Sequence, residues 1–183
     1  MLPSAFDEKN QGFYLGQGAA LAIFETEPSR QPIGKFLGAY SASEDNTNPL
    51  GQRDDGAGYS KAMEGALWVA KTAPDSVYMV KTHGTGTPVN NAAEKTALLQ
   101  TLPEFVATSY KPRIGHTMGA SGLLETGLML RDIAQGYIPA IPNRTGSDGV
   151  FVSSDTPVRG DKFLSLAAGM GNIYSAALFS SEV

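Results

Sequence analysis

Two histidines are the residues in this chain best suited to chemistry on a carbonyl, and both stand in glycine-rich turns. His83 opens the run His83-Gly84-Thr85-Gly86-Thr87-Pro88, and His116 closes Lys111-Pro112-Arg113-Ile114-Gly115-His116. A neutral imidazole donates a hydrogen bond, and two such donors in one site can stabilise an oxyanion or enolate. Gly84 and Gly86 let backbone approach a ligand closely. The hydroxyls of Thr85 and Thr87 both donate and accept. Glu125 falls inside an apolar stretch, where a carboxylate is costly unless paired, and Lys111 is its natural mate. A bland account competes: a strand-to-helix turn with a threonine cap, then a solvated lysine–glutamate pair with a capping histidine. A phosphate loop fits less well, because Val89 occupies the third glycine position of G-x-G-x-x-G.

The elements that must hold these turns can be read from periodicity. Val77 to Val80 reads as a buried strand that delivers His83 to its carboxyl end, where open α/β sheets bind ligands. Asn91 to Leu99 reads as the helix that follows. Leu123 to Ile133 is an apolar helix behind His116, and its dipole disfavours imidazolium. Tyr59, Met63, Ala66, Leu67 and Ala70 keep helical spacing, so a helix is expected over 57–71, ended by Pro74-Asp75. Further strands are expected at 20–24, 33–40, 107–111, 150–153, 163–168 and 173–179. Residues 43–58 read as a loop, and 138–142 as extended chain under proline restriction. Strands alternating with helices and ending in two strands imply an α/β fold with a mixed sheet.

Composition excludes several classes of function. The chain has 183 residues, 42% hydrophobic and 17% charged, which suits one globular domain. A net charge of −4 with no basic patch argues against nucleic acid. With no cysteine, the chain has no disulfide, thiolate metal site or cysteine nucleophile, and no metal is expected. No apolar run approaches the roughly 18 residues of a membrane span. Residues 1–7 lack the pattern of a signal peptide, and a cytoplasmic location is expected.

Taken together, these segments resemble the carboxyl-terminal half of the β-ketoacyl synthases, condensing enzymes of fatty acid and polyketide synthesis within the thiolase-like superfamily. The resemblance rests on His83 to Pro88 with Glu94 eleven residues past His83. It rests also on Lys111 five residues before the Gly115-His116 pair, and on Glu125 nine residues after His116. Phe6-Asp7, Gly12-Phe13, Gly16 and Gly18 fit upstream, and Gly169-Met170-Gly171 falls at the family's terminal glycine turn.

The resemblance implies one lobe, the second half of a thiolase-like α-β-α-β-α fold, spanning 1–183 as a single domain with a mixed five-stranded sheet. It implies catalytic roles for His83, His116, Lys111 and Glu125 in malonyl-thioester decarboxylation. Thr85 and Thr87 would meet the pantetheine arm, and Gly169, Met170 and Gly171 would lie beside the acyl site. No cofactor is implied beyond phosphopantetheine on an acyl carrier protein. The cysteine belongs to the family's first lobe, so the implied partners are an amino-terminal ketosynthase half, the acyl carrier protein and a higher oligomer. A non-catalytic subunit that shapes a partner's acyl tunnel, and a piece of a longer chain, fit the same motifs. The departures are Asn10 where arginine is usual, Gln11, Gln17 and Asn91 where carboxylates are usual, the terminal turn Asn172-Ile173-Tyr174, and Met170 in place of phenylalanine.

Overall fold

A computed structural model of the chain describes residues 2–48, 51–146 and 148–182. The long sheet pairs β1 (Lys35–Ser43), β7 (Ile173–Ser180), β6 (Lys162–Gly169), β2 (Met79–Lys81) and β3 (Val106–Thr108), in that order. β1, β7 and β6 run antiparallel, whereas β6, β2 and β3 run parallel. The mixed five-stranded sheet expected from the sequence is therefore present. A short second ladder joins β4 (Tyr137–Ile138) to β5 (Thr156–Pro157).

Helices cover both faces of the sheet. Cross-strand register puts Tyr40, Tyr174 and Leu166 on one face. α1 (Ala57–Val69) lies there, with Tyr59, Ala62, Met63, Ala66 and Leu67 forming a buried stripe at helical spacing. Gly65 and Gly58 admit the rings of Tyr40 and Tyr174, because a Cβ at either would lie 2.3 Å from a ring atom. Ser165 points the opposite way, to α4 (Ser121–Ala134), where its hydroxyl is 2.7 Å from that of Thr126. α2 (Pro88–Thr101) packs against α1, and the one-turn α3 (Lys111–Ile114) precedes His116.

Several expected boundaries shift. The short strand expected at 107–111 stops at Thr108, and Lys111 instead begins α3, where Pro112 is tolerated in the first turn. The strand expected at 150–153 is reduced to one bridge between Ala107 and Phe151. The buried strand expected at 20–24 is absent. Leu21, Ile23 and Phe24 are 90%, 82% and 67% exposed there. An apolar run becomes a buried strand only beside another strand and beneath a covering layer. Here residues 16–24 instead run outside the sheet past α4: Gly18 abuts Leu124, and the Phe24 ring meets Phe36 edge-on.

Candidate active site

The two histidines, 33 positions apart in sequence, meet edge to face with ring centroids 5.7 Å apart. β2 carries His83 to the site. The following loop is anchored by Glu94 on α2, whose carboxylate accepts from the backbone N–H of His83 at 2.6 Å and of Gly84 at 2.9 Å. Asn90 donates to the same carboxylate at 3.0 Å, and Tyr59 donates to Asn90 at 2.7 Å. Gly84 turns with φ 53°, and the Ser109 hydroxyl donates to its carbonyl at 3.0 Å. A Cβ on Gly84 would lie 2.3 Å from that hydroxyl, so glycine is required.

The amino-terminal segment locks both histidine loops. Gly12 donates to the Gly86 carbonyl at 2.8 Å, and Phe6 donates to Asn91 at 3.2 Å. Tyr14 accepts from the His116 N–H at 2.7 Å, and Gly16 donates to the His116 carbonyl at 2.9 Å. A Cβ on Gly16 would sit 2.4 Å from the Ile114 carbonyl oxygen. The glycine pair Gly16 and Gly115 thus lets two backbones touch and fixes His116 in the site.

The environment keeps both imidazoles neutral. Burial, reinforced by the nearby Lys111 and Lys81 ammonium groups, holds His83 well below the ordinary histidine pKa. Burial and Lys111 lower His116 as well. The Nδ1 of His116 accepts from the Met118 N–H at 3.1 Å and lies 2.9 Å from the Ser121 hydroxyl. That acceptor role puts the proton on Nε2, leaving Nε2–H as a donor. The cap expected at the second turn takes a different form: His116 lies before a 3₁₀ turn, Met118–Ala120, and holds its N–H through Nδ1.

Behind the histidines lies a buried charge cluster. Lys111 donates to Glu125 at 2.8 Å and to the His83 carbonyl at 2.5 Å. The pair is fully buried, so the solvated-pair account of Lys111 and Glu125 fails. Lys81 donates to the other Glu125 oxygen at 3.0 Å and to the Leu166 carbonyl at 2.7 Å. Two ammonium groups outweigh the burial cost on Glu125 and hold its pKa below the usual carboxylate range. Burial, opposed by Glu125, brings Lys111 down to about 8.

Thr85 is buried and its hydroxyl is 3.3 Å from that of Thr87, on the same loop. Thr87 precedes α2 without capping it through its side chain, so the threonine-cap account fails. Gly169 ends β6, and Met170 and Gly171 lie in the turn to β7, where Met170 is 73% exposed. Lys81, Ser121, Asn90 and Tyr59 join the site only in the tertiary structure, and Glu94 is marked in the sequence only by its spacing. A lysine at the end of a buried strand, two residues before His83, was the available signal for Lys81. Among the described residues no group of three or more His, Asp or Glu side chains is placed to hold a metal ion.

Comparison with known proteins identifies the family and the fold. Residues 33–145 match the family model described as the beta-ketoacyl synthase C-terminal domain. The chain is 29% identical over 188 residues to the tetracenomycin polyketide synthase ketoacyl synthase alpha subunit of Streptomyces glaucescens. The match covers 96% of this chain and 44% of that relative. It is 32% identical over 128 residues to 3-oxoacyl-[acyl-carrier-protein] synthase 2 of Staphylococcus aureus, covering 66% of this chain and 32% of the relative. The ishigamide ketosynthase/chain length factor superposes with a TM-score of 0.88 at 21% identity, over 98% of this chain and 47% of that one. The ketosynthase ApeO in complex with its chain length factor ApeC from Xenorhabdus doucetiae gives 0.74 at 24% identity, over 82% and 40%. The chain spans less than half the length of these relatives.

Proposed function

The chain belongs to the β-ketoacyl synthase family, and on that premise we propose that it supplies the histidine half of a split β-ketoacyl-[acyl-carrier-protein] synthase. The observation that carries the reading is the close imidazole pair, backed by Lys111 on the His83 carbonyl. In this reading a malonyl thioester loses CO₂ by breaking its carboxyl–carbon bond. The electron pair passes to an enolate whose oxygen is held by the His83 and His116 donors. The enolate carbon then attacks an acyl thioester on the partner's cysteine. The carbon–carbon bond forms as the thiolate leaves. Lys111 and Glu125 orient His83, while Thr85 and Thr87 face the pantetheine of an acyl carrier protein. The turn at Gly169, Met170 and Gly171 borders the acyl chain.

The partners in this reading are a cysteine-bearing amino-terminal half, the carrier protein and a second copy of the pair, acting in the cytoplasm. Exposed Leu15, Leu21, Ile23, Phe24 and Trp68 support a covering half. The test is reconstitution with such a half and an assay of condensation between malonyl- and acyl-carrier proteins. His83→Ala should lower turnover by roughly 10²-fold or more. Unchanged synthase activity would refute the catalytic reading. A second reading, a non-catalytic subunit that shapes a partner's tunnel, is favoured by the departures at 169–174. It requires His83→Ala to alter product length and leave the rate intact.

A further inference from the structure

Lys81 is a second buried ammonium in a cluster where a single lysine would suffice to neutralise Glu125. It occupies the last position of β2, two residues before His83, and none of its surface is exposed. Its hydrogen bonds go to Glu125 and to the Leu166 carbonyl on β6. Glu125 spends one oxygen on each lysine, so neither ammonium is redundant in the geometry. The charged and titratable groups around the two imidazoles are Lys81 from β2, Glu94 from α2, Lys111 from α3 and Glu125 from α4. Glu94 is taken up by the backbone donors of His83 and Gly84. Lys81, Lys111 and Glu125 carry one net positive charge directly behind the site, and Glu94 interacts with both lysines.

We propose that Lys81 is a positioning residue of this site: by holding the second oxygen of Glu125 it aims Lys111 at the His83 carbonyl, and it keeps positive charge behind both imidazoles. The purpose of that charge, attraction of an enolate to neutral donors, rests on the function proposed above. The arrangement itself is measurable without turnover. A buried cation near a developing anion stabilises it, and the same cation opposes protonation of a neighbouring imidazole.

The chain has only two histidines, so labelled imidazole signals can be followed one by one through a pH titration of the full chain. In Lys81→Gln and Lys81→Met the His83 midpoint should rise by on the order of one pH unit. His116 should rise by less. Exposed Lys61, changed to Gln, should move neither. Folded variants with unmoved midpoints overturn the proposal. If the variants do not fold, the ¹⁵N signal of Lys81 Nζ in the unmodified chain decides. Hydrogen-bonded, slowly exchanging Nζ protons are expected, and freely exchanging ones overturn the proposal. In the reconstituted pair, Lys81→Gln should move the acid limb of the pH–rate profile upward with the His83 midpoint. Moving midpoints without any condensation would remove the proposed function and keep the role of Lys81. Condensation with unmoved midpoints would do the reverse.

Discussion

Replacing Glu125 by glutamine should be the most damaging isosteric change in the protein. Glu125 accepts from Lys111 at 2.8 Å and from Lys81 at 3.0 Å, and all three side chains are buried. At those separations and an effective dielectric near 20, each pair contributes about 5.5–6 kcal/mol of Coulomb attraction. Most of that offsets the cost of taking three charges out of water. The substitution removes the attraction and leaves two ammonium groups desolvated and facing one another. The expected loss is about 3–5 kcal/mol, a large share of the roughly 5–15 kcal/mol that a domain has. Urea denaturation should show it as a lower midpoint at unchanged slope. Adding Lys81→Met to Glu125→Gln should recover at least about 1 kcal/mol, because one orphaned charge is gone. A single-variant loss below about 1 kcal/mol, or no recovery in the double variant, would refute the idea that charge compensation holds this cluster together.

Other consequences are open to simpler measurements. Both histidines have folded pKa values below 6.5, so the unfolded chain takes up protons that the folded chain refuses. Stability should fall as pH drops below 6.5, and thermal melts of a His83→Gln/His116→Gln variant should lack much of that slope. Lys111 titrates near 8 in the fold against 10.5 when unfolded, so melts should show stability rising between those values, and Lys111→Met should flatten that window. Gly16→Ala should release the segment that grips His116 and expose residues 13–24 to limited proteolysis, because its methyl would meet the Ile114 carbonyl at 2.4 Å. Gly127→Ala, with open space around it inside α4, should instead stabilise by about 0.5–1 kcal/mol. Leu21→Glu with Ile23→Glu should raise the solubility of the lone chain and abolish capture by the cysteine-bearing half. Capture that survives both changes would show that the exposed run is not the contact.

Much of the site was legible because its spacing is local. His83 through Glu94 lies on the loop and helix that follow β2, and Lys111 through Glu125 on the helix–turn–helix run from α3 to α4, so each half of the site can be read along the chain. The pairing of Lys111 with Glu125 followed from one rule, that a carboxylate in an apolar helix needs a partner. The fold class followed from alternating periodicities, although the run at 20–24 misled. Its apolar character was real, but burial depends on a neighbour that the described chain does not provide. The short strands β4 and β5, at two residues each, carry too little pattern to be read.

The sequence by itself determined the residue types, the two histidine turns, and the absence of a cysteine. Only the tertiary structure decided that the two imidazoles face one another at 5.7 Å and that Glu125 serves two lysines instead of one. The physical reason is that these contacts join elements distant in sequence. Lys81 and Glu125 stand 44 positions apart, on β2 and α4. They meet because β6 lies beside β2 and α4 packs against both. Periodicity marks which face of an element is buried, and it carries no information about which buried group on another element will be there to answer it.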